Sequence, residues 1–122
     1  MKNCIKIKQL EVFAYHGCEE QEKINGQKFY IDANLYTDIS VAGNTDDLNE
    51  TVNYAEVCDF INKFLTKNRF DLIEALAENI ACEVLNKFSL IQGLMVRVKK
   101  PEAPVSGIFD YFAVEIRRDR DV

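Results

Sequence analysis

Lys100 stands where a strand-like run from Leu94 gives way to Pro101-Glu102-Ala103-Pro104-Val105-Ser106-Gly107-Ile108-Phe109-Asp110. A hairpin needs only about two to five linking residues, so this connection is longer than reversal of the chain requires. Pro101 fixes φ and lacks a backbone N–H, which should end the strand ladder just after Lys100. A stiff loop behind an ammonium group suits a group that must be held in place. The plain alternative is a solvated lysine before an ordinary loop.

Three further side chains could join it. Glu74 lies three residues after Asp71 at the start of a helical pattern, the spacing of a capping box that serves the helix end alone. Glu22 sits among Glu19, Glu20, Gln21 and Lys23, where an acid is ordinarily solvated. Tyr54 opens the first long helical pattern, a place where a phenol packs its ring and keeps its hydroxyl wet. His16, the one histidine, precedes Gly17 at the end of the first strand and reads as structural, hydrogen-bonding the turn. A single histidine excludes multi-histidine metal sites and leaves a metal-dependent aldol or hydrolytic centre unexpected. Cys4, Cys18, Cys58 and Cys82 show no CxxC or zinc spacing and read as four separate thiols, Cys58 and Cys82 as small buried residues within helices.

The elements that must position these groups follow from periodicity. Ile5, Ile7, Leu10 and Val12 form a first strand with a bulge between its halves. Phe29, Ile31, Ala33 and Leu35 alternate with Tyr30, Asp32, Asn34 and Tyr36 in a second. Leu94, Val96 and Val98, then Phe112, Val114 and Ile116, mark a third and a fourth, the last running from Tyr111 to Arg118. Between the pairs lie two helices. Asn53 with Glu56 caps the first, striped by Val57, Ile61, Phe64 and Leu65; Asp71 with Glu74 opens the second, striped by Leu76, Ala77, Ile80, Val84 and Leu85. The order ββααββ implies α+β: a four-stranded antiparallel sheet with both helices on one face. The other face is half polar, which suits a self-associating surface.

At 122 residues the chain fits one domain, residues 1–122. Its 48% hydrophobic and 29% charged content is that of a soluble globular protein. No apolar run approaches the roughly 20 residues of a membrane span. Lysines alternate with isoleucines at the start, so no secretory leader is read there and a cytoplasmic location is expected. The net charge of −5 argues against nucleic acid as a partner. Arg117, Arg118 and Arg120, interleaved with Asp119 and Asp121, read as a solvated tail.

Four segments, in order, carry a resemblance: Tyr15-His16-Gly17 followed by Glu22 and Gly26-Gln27-Lys28-Phe29; Thr51-Val52-Asn53-Tyr54; Leu72-Ile73-Glu74-Ala75-Leu76-Ala77-Glu78; and Lys100-Pro101-Glu102-Ala103-Pro104. Together they resemble dihydroneopterin aldolase over nearly the whole chain. The resemblance implies the tunnelling fold, in which ββααββ subunits close into a ring-shaped barrel, four to a ring and two rings face to face. It assigns Glu74 to the amino-pyrimidinone edge of a pterin, where a carboxylate accepts two parallel N–H bonds. Ile73 would hold the pterin through its backbone amide. Tyr54 would enter the pocket from a neighbouring subunit, and Glu22 would order water or side-chain hydroxyls beside Lys100.

The implied substrate is 7,8-dihydroneopterin. Its N5–C6 imine can take the electrons released when C1′–C2′ breaks, so no cofactor, metal or Schiff base is expected. Lys100 is expected to be the principal acid–base group. A base must be neutral, and a Glu22 carboxylate nearby favours the ammonium, so a water relay is expected. Tyr54 would govern protonation of the enamine. Return of glycolaldehyde on its other face would give the 2′-epimer. Two other readings stand beside this one: a dihydroneopterin triphosphate epimerase, and a non-catalytic pterin-binding ring.

Overall fold

The computed structural model describes residues 3–120. Its elements run β1 (Cys4–Ala14), α1 (Glu20–Asn25), β2 (Gln27–Tyr36), α2 (Ser40–Thr45), a 3-10 turn (Leu48–Glu50), α3 (Tyr54–Lys67), α4 (Ile73–Lys87), β3 (Gly93–Lys100) and β4 (Phe112–Asp119). The strands form one antiparallel sheet in the order β1-β2-β3-β4. The expected α+β fold is therefore present, with three short helical pieces added in the connections.

Alternation decides the faces. Phe29, Ile31, Ala33 and Leu35 are fully buried and join Leu94, Val96 and Val98 in one core. Val57, Ile61 and Leu65 of α3 and Leu76, Ala77, Ile80 and Val84 of α4 belong to the same core, so both long helices cover the same sheet face. Each fully buried large aliphatic or aromatic side chain contributes about 1.5–3 kcal/mol, which makes this layer the main source of stability. No helix among the described residues is long and apolar enough to cross a membrane.

The opposite face is polar but not simply wet. Asp32 is only 1% exposed. Its carboxylate meets Lys99 at 3.0 Å and Arg97 at 3.3 Å, and accepts the Gln9 N–H at 2.8 Å. The bulge read between Ile7 and Leu10 is what turns that N–H inward: Gln9 there takes φ 60°. Burial pushes the Asp32 carboxyl up, but the Gln9 and Lys99 contacts outweigh it and hold it below its ordinary value.

Asn53 caps α3 as read, its Oδ1 accepting from the Ala55 and Glu56 N–H groups at 3.0 and 3.3 Å. Asp71 does not cap α4. Its carboxylate is taken by Arg69 at 2.7 Å, Leu72 occupies the capping position, and no side chain among the described residues caps that helix end. The capping box read for Glu74 therefore does not form. Two smaller readings also change. Cys82 is exposed rather than buried, because it falls on the solvent side of α4. Arg117 and Arg118 lie within β4 instead of a tail. Arg120 donates to the Leu85, Phe88 and Ile91 carbonyls, closing the end of α4. Asp121 lies outside the described residues.

Candidate active site

The antiparallel layout gathers most of the singled-out residues at one end of the sheet. Ala14 pairs with Gln27, so the loop carrying Glu22 leaves from the end of the sheet where β2 begins. Tyr30 pairs with Lys99, which places Lys100 at that same end, and Lys100 itself pairs with Phe112 as the last ladder position before Pro101. The chain descends α4 and returns along β3, so the first turn of α4, with Ile73 and Glu74, also lies there.

Within the polar connection a short helix forms, and it separates Glu22 from its neighbours. Glu19 and Glu20 are exposed; Glu22 is 7% exposed. Its Oε1 accepts the Glu19 N–H at 3.1 Å, the back-reaching half of a capping box. Its Oε2 accepts from Gln27 Nε2 at 2.7 Å and from Lys100 Nζ at 2.5 Å. Lys100 is itself held back from solvent, with 13% of its side chain exposed. Desolvation pushes the Glu22 carboxyl up, and the Lys100, Gln27 and Glu19 hydrogen bonds together bring it below its ordinary value. The pair is thus a carboxylate and an ammonium in contact.

Gly17 makes room for this carboxylate. A Cβ there would stand 2.3 Å from the Glu22 carboxyl carbon, and φ is 147°, a conformation that side chains rarely adopt. An open cleft of about 590 Å³ lies alongside, lined by Glu19, Glu20, Glu22, Gln27, Glu102 and Pro104 among others. Gln27 is the residue that sequence reasoning passed over. It was visible only inside the Gly26-Gln27-Lys28-Phe29 segment, yet it is 5% exposed and grips Glu22 directly. Its own Oε1 is buried without a partner among the described residues.

Glu74 is exposed and makes no hydrogen bond or ion pair among the described residues, so its carboxylate is open to a ligand. The uncapped helix start leaves the first N–H groups of α4 equally open. Tyr54 is different. It begins α3, whose far end approaches the loop of Glu22, and 14 residues at about 1.5 Å each put it roughly 20 Å away along the helix. It is 61% exposed and is not brought to Lys100 of its own chain.

The same α+β architecture recurs in the crystal structure of Escherichia coli dihydroneopterin aldolase in complex with neopterin, with a TM-score of 0.87 and 26% identity over 95% of this chain and 98% of that one. The fold is thus one that a dihydroneopterin aldolase adopts. A dihydroneopterin aldolase family model matches residues 5–117. The dihydroneopterin aldolase of Methylorubrum extorquens is 42% identical over 120 residues, 98% of this chain and 92% of that protein. The Bacillus subtilis enzyme of that name is 38% identical over 116 residues, 95% and 97% of the two chains. The chain belongs to the dihydroneopterin aldolase family.

Proposed function

We propose that this chain cleaves 7,8-dihydroneopterin by a retro-aldol reaction, giving 6-hydroxymethyl-7,8-dihydropterin and glycolaldehyde for folate biosynthesis in the cytoplasm. The observation that carries the reading is the sequestered Glu22–Lys100 contact at the end of β3, in a member of this family. An ammonium and a carboxylate held together beside a cleft can pass protons through a bound water in either direction.

The steps balance without an added redox partner. A water ordered by Glu22 and Lys100 takes the proton of the 2′-hydroxyl. The C1′–C2′ bond breaks, its electron pair moves through C6 onto N5, and N5 is protonated. C2′ and C3′ leave as glycolaldehyde. C1′ of the resulting enamine then takes a proton and N5 loses one, restoring the imine. Because the pterin holds the electrons, the scheme uses neither a metal nor a Schiff base. Glu74 and the Ile73 N–H grip the amino-pyrimidinone edge, a role supported by the unpaired carboxylate and the uncapped helix start. Re-addition of glycolaldehyde on its other face gives the 2′-epimer as a side product.

Tyr54 takes part from a second copy. The distance along α3 supports this, and so do the outer edges of β1 and β4, which pair with no strand among the described residues. Joining the β1 edge of one copy to the β4 edge of the next closes a ring, and the family resemblance points to four copies per ring and two rings. The acidic lining of Glu19, Glu20 and Glu102 disfavours a triphosphate substrate. Incubation with 7,8-dihydroneopterin and chromatographic identification of the products tests the function. Equal amounts of the hydroxymethyl pterin and glycolaldehyde are expected; recovery of unchanged substrate would refute the reading.

A further inference from the structure

His16 is fully buried at the end of β1, and the scheme above gives it no proton to move. Its two ring nitrogens are nevertheless both committed. Nδ1 lies 3.0 Å from the Phe70 N–H, which can only donate, so Nδ1 is bare. Nε2 lies 3.0 Å from the Leu65 carbonyl, which can only accept, so Nε2 carries the hydrogen. The ring stacks on Phe70, with centroids 5.9 Å apart, and meets Phe29 edge-on.

The next two residues continue the connection. The Gly17 N–H donates to the Phe70 carbonyl at 3.0 Å, and the Gly17 carbonyl accepts from Arg69 Nη2 at 2.7 Å. The Cys18 thiol lies 3.4 Å from the Asp71 carbonyl. Residues 16–18 are thus clasped to the α3–α4 link at Arg69, Phe70 and Asp71. One side of the clasp abuts the chemistry, since Gly17 packs on the Glu22 carboxylate and the Gln27 amide that holds Glu22 also reaches the His16 carbonyl at 3.5 Å. The other side leads within three residues of Asp71 to Ile73 and Glu74.

We infer that His16 is a positioning residue, which locks the α3–α4 link onto the end of β1 so that the pterin-gripping turn of α4 and the Glu22–Lys100 pair keep one relative geometry. The inference rests on the site roles proposed above. Each half of the site keeps its own local support when the clasp is cut, so ligand capture and chemistry should separate. A displacement of about 1 Å between bound substrate and catalytic group costs roughly 10²-fold in rate.

The test uses His16→Leu, which fills the space but orphans both backbone groups, and His16→Gln, whose amide can still accept and donate. Arg69→Met cuts the Gly17 carbonyl contact from the exposed side and spares the core. The readouts are kcat for cleavage well below the melting temperature, and affinity for neopterin by fluorescence titration. His16→Leu and Arg69→Met should each lose about 10- to 100-fold in kcat with neopterin affinity within about threefold, and His16→Gln should recover most of the loss. A kcat within twofold of wild type in either of the first two variants overturns the inference; if His16→Leu does not fold, Arg69→Met decides alone. If the wild-type protein cleaves no 7,8-dihydroneopterin, the proposed function fails separately. Amide hydrogen exchange then decides the clasp: faster exchange at 72–76 in Arg69→Met supports it, and unchanged protection there overturns it.

Discussion

Replacing Lys100 by methionine keeps an unbranched stem and removes the ammonium from a contact that is 2.5 Å long and almost closed to solvent. Removing one partner of a fully buried ion pair costs about 3–5 kcal/mol. Here Glu22 keeps two donors, Gln27 Nε2 and the Glu19 N–H, so a loss of about 1–3 kcal/mol is expected. For a domain of this size that lowers the melting temperature by roughly 4–10 °C. With the strongest of the contacts that hold it down removed, the Glu22 pKa rises. The cost in rate is larger, about 10²–10⁴-fold or roughly 3–5 kcal/mol of barrier, because a positioned acid–base group is gone. The second substitution Glu22→Gln in the same chain removes the stranded charge and should return most of the stability but none of the activity. Single-turnover cleavage at saturating 7,8-dihydroneopterin, measured beside neopterin binding and thermal melting, separates these effects. If the lysine variant binds poorly yet cleaves at the wild-type rate once saturated, Lys100 is only a ligand contact and the reasoning fails.

Glu74→Gln should weaken neopterin binding by about one to two orders of magnitude, since a charge-assisted contact is worth roughly 1.5–3 kcal/mol. Its melting temperature should stay within about 2 °C of wild type, because no capping box is lost; calorimetry and titration check the two together. Mixing Tyr54→Ala with Lys100→Ala subunits, each inactive alone, should restore part of the activity through sites that draw an intact residue from each copy; no recovery after exchange of subunits argues against a shared site. Stability should fall as pH drops below about 6.5. Desolvation, with Arg69 and Lys100 nearby, outweighs the Leu65 hydrogen bond and keeps the buried His16 pKa below its ordinary value, so the unfolded chain binds the extra proton first. His16→Gln should flatten melting temperature against pH in that upper acid range. The contributions of Glu22 and Asp32, whose folded pKa values are also depressed, persist until lower pH and are lost as it falls through those values.

The strands and both long helices were legible because period-2 and helical stripes report burial directly: Phe29, Ile31, Ala33 and Leu35 are all fully buried. The bulge before Leu10 was legible as a break in that alternation. Capping was only half legible. Asn53 and Asp71 present the same local spacing, but Arg69 captures the Asp71 carboxylate, a competitor that spacing cannot rank. The helix at Glu20–Asn25 was hidden among acids with no stripe, since it buries Glu22 alone. Gln27 was hidden for a related reason, and His16, legible as structural, bonds the helical layer instead of its own turn. Their partners lie on other elements, Glu22 across a turn and Leu65 and Phe70 on the helical layer, and only the assembled sheet end brings them together.

In the proposed retro-aldol route C1′ passes through an enamine and receives its new hydrogen from solvent. Cleavage of 7,8-dihydroneopterin in D₂O, with mass and NMR analysis of the pterin product, tests it most directly. One deuterium is expected on the hydroxymethyl carbon of the product formed by the wild-type protein. A hydroxymethyl pterin formed without deuterium at that carbon would contradict the retro-aldol route.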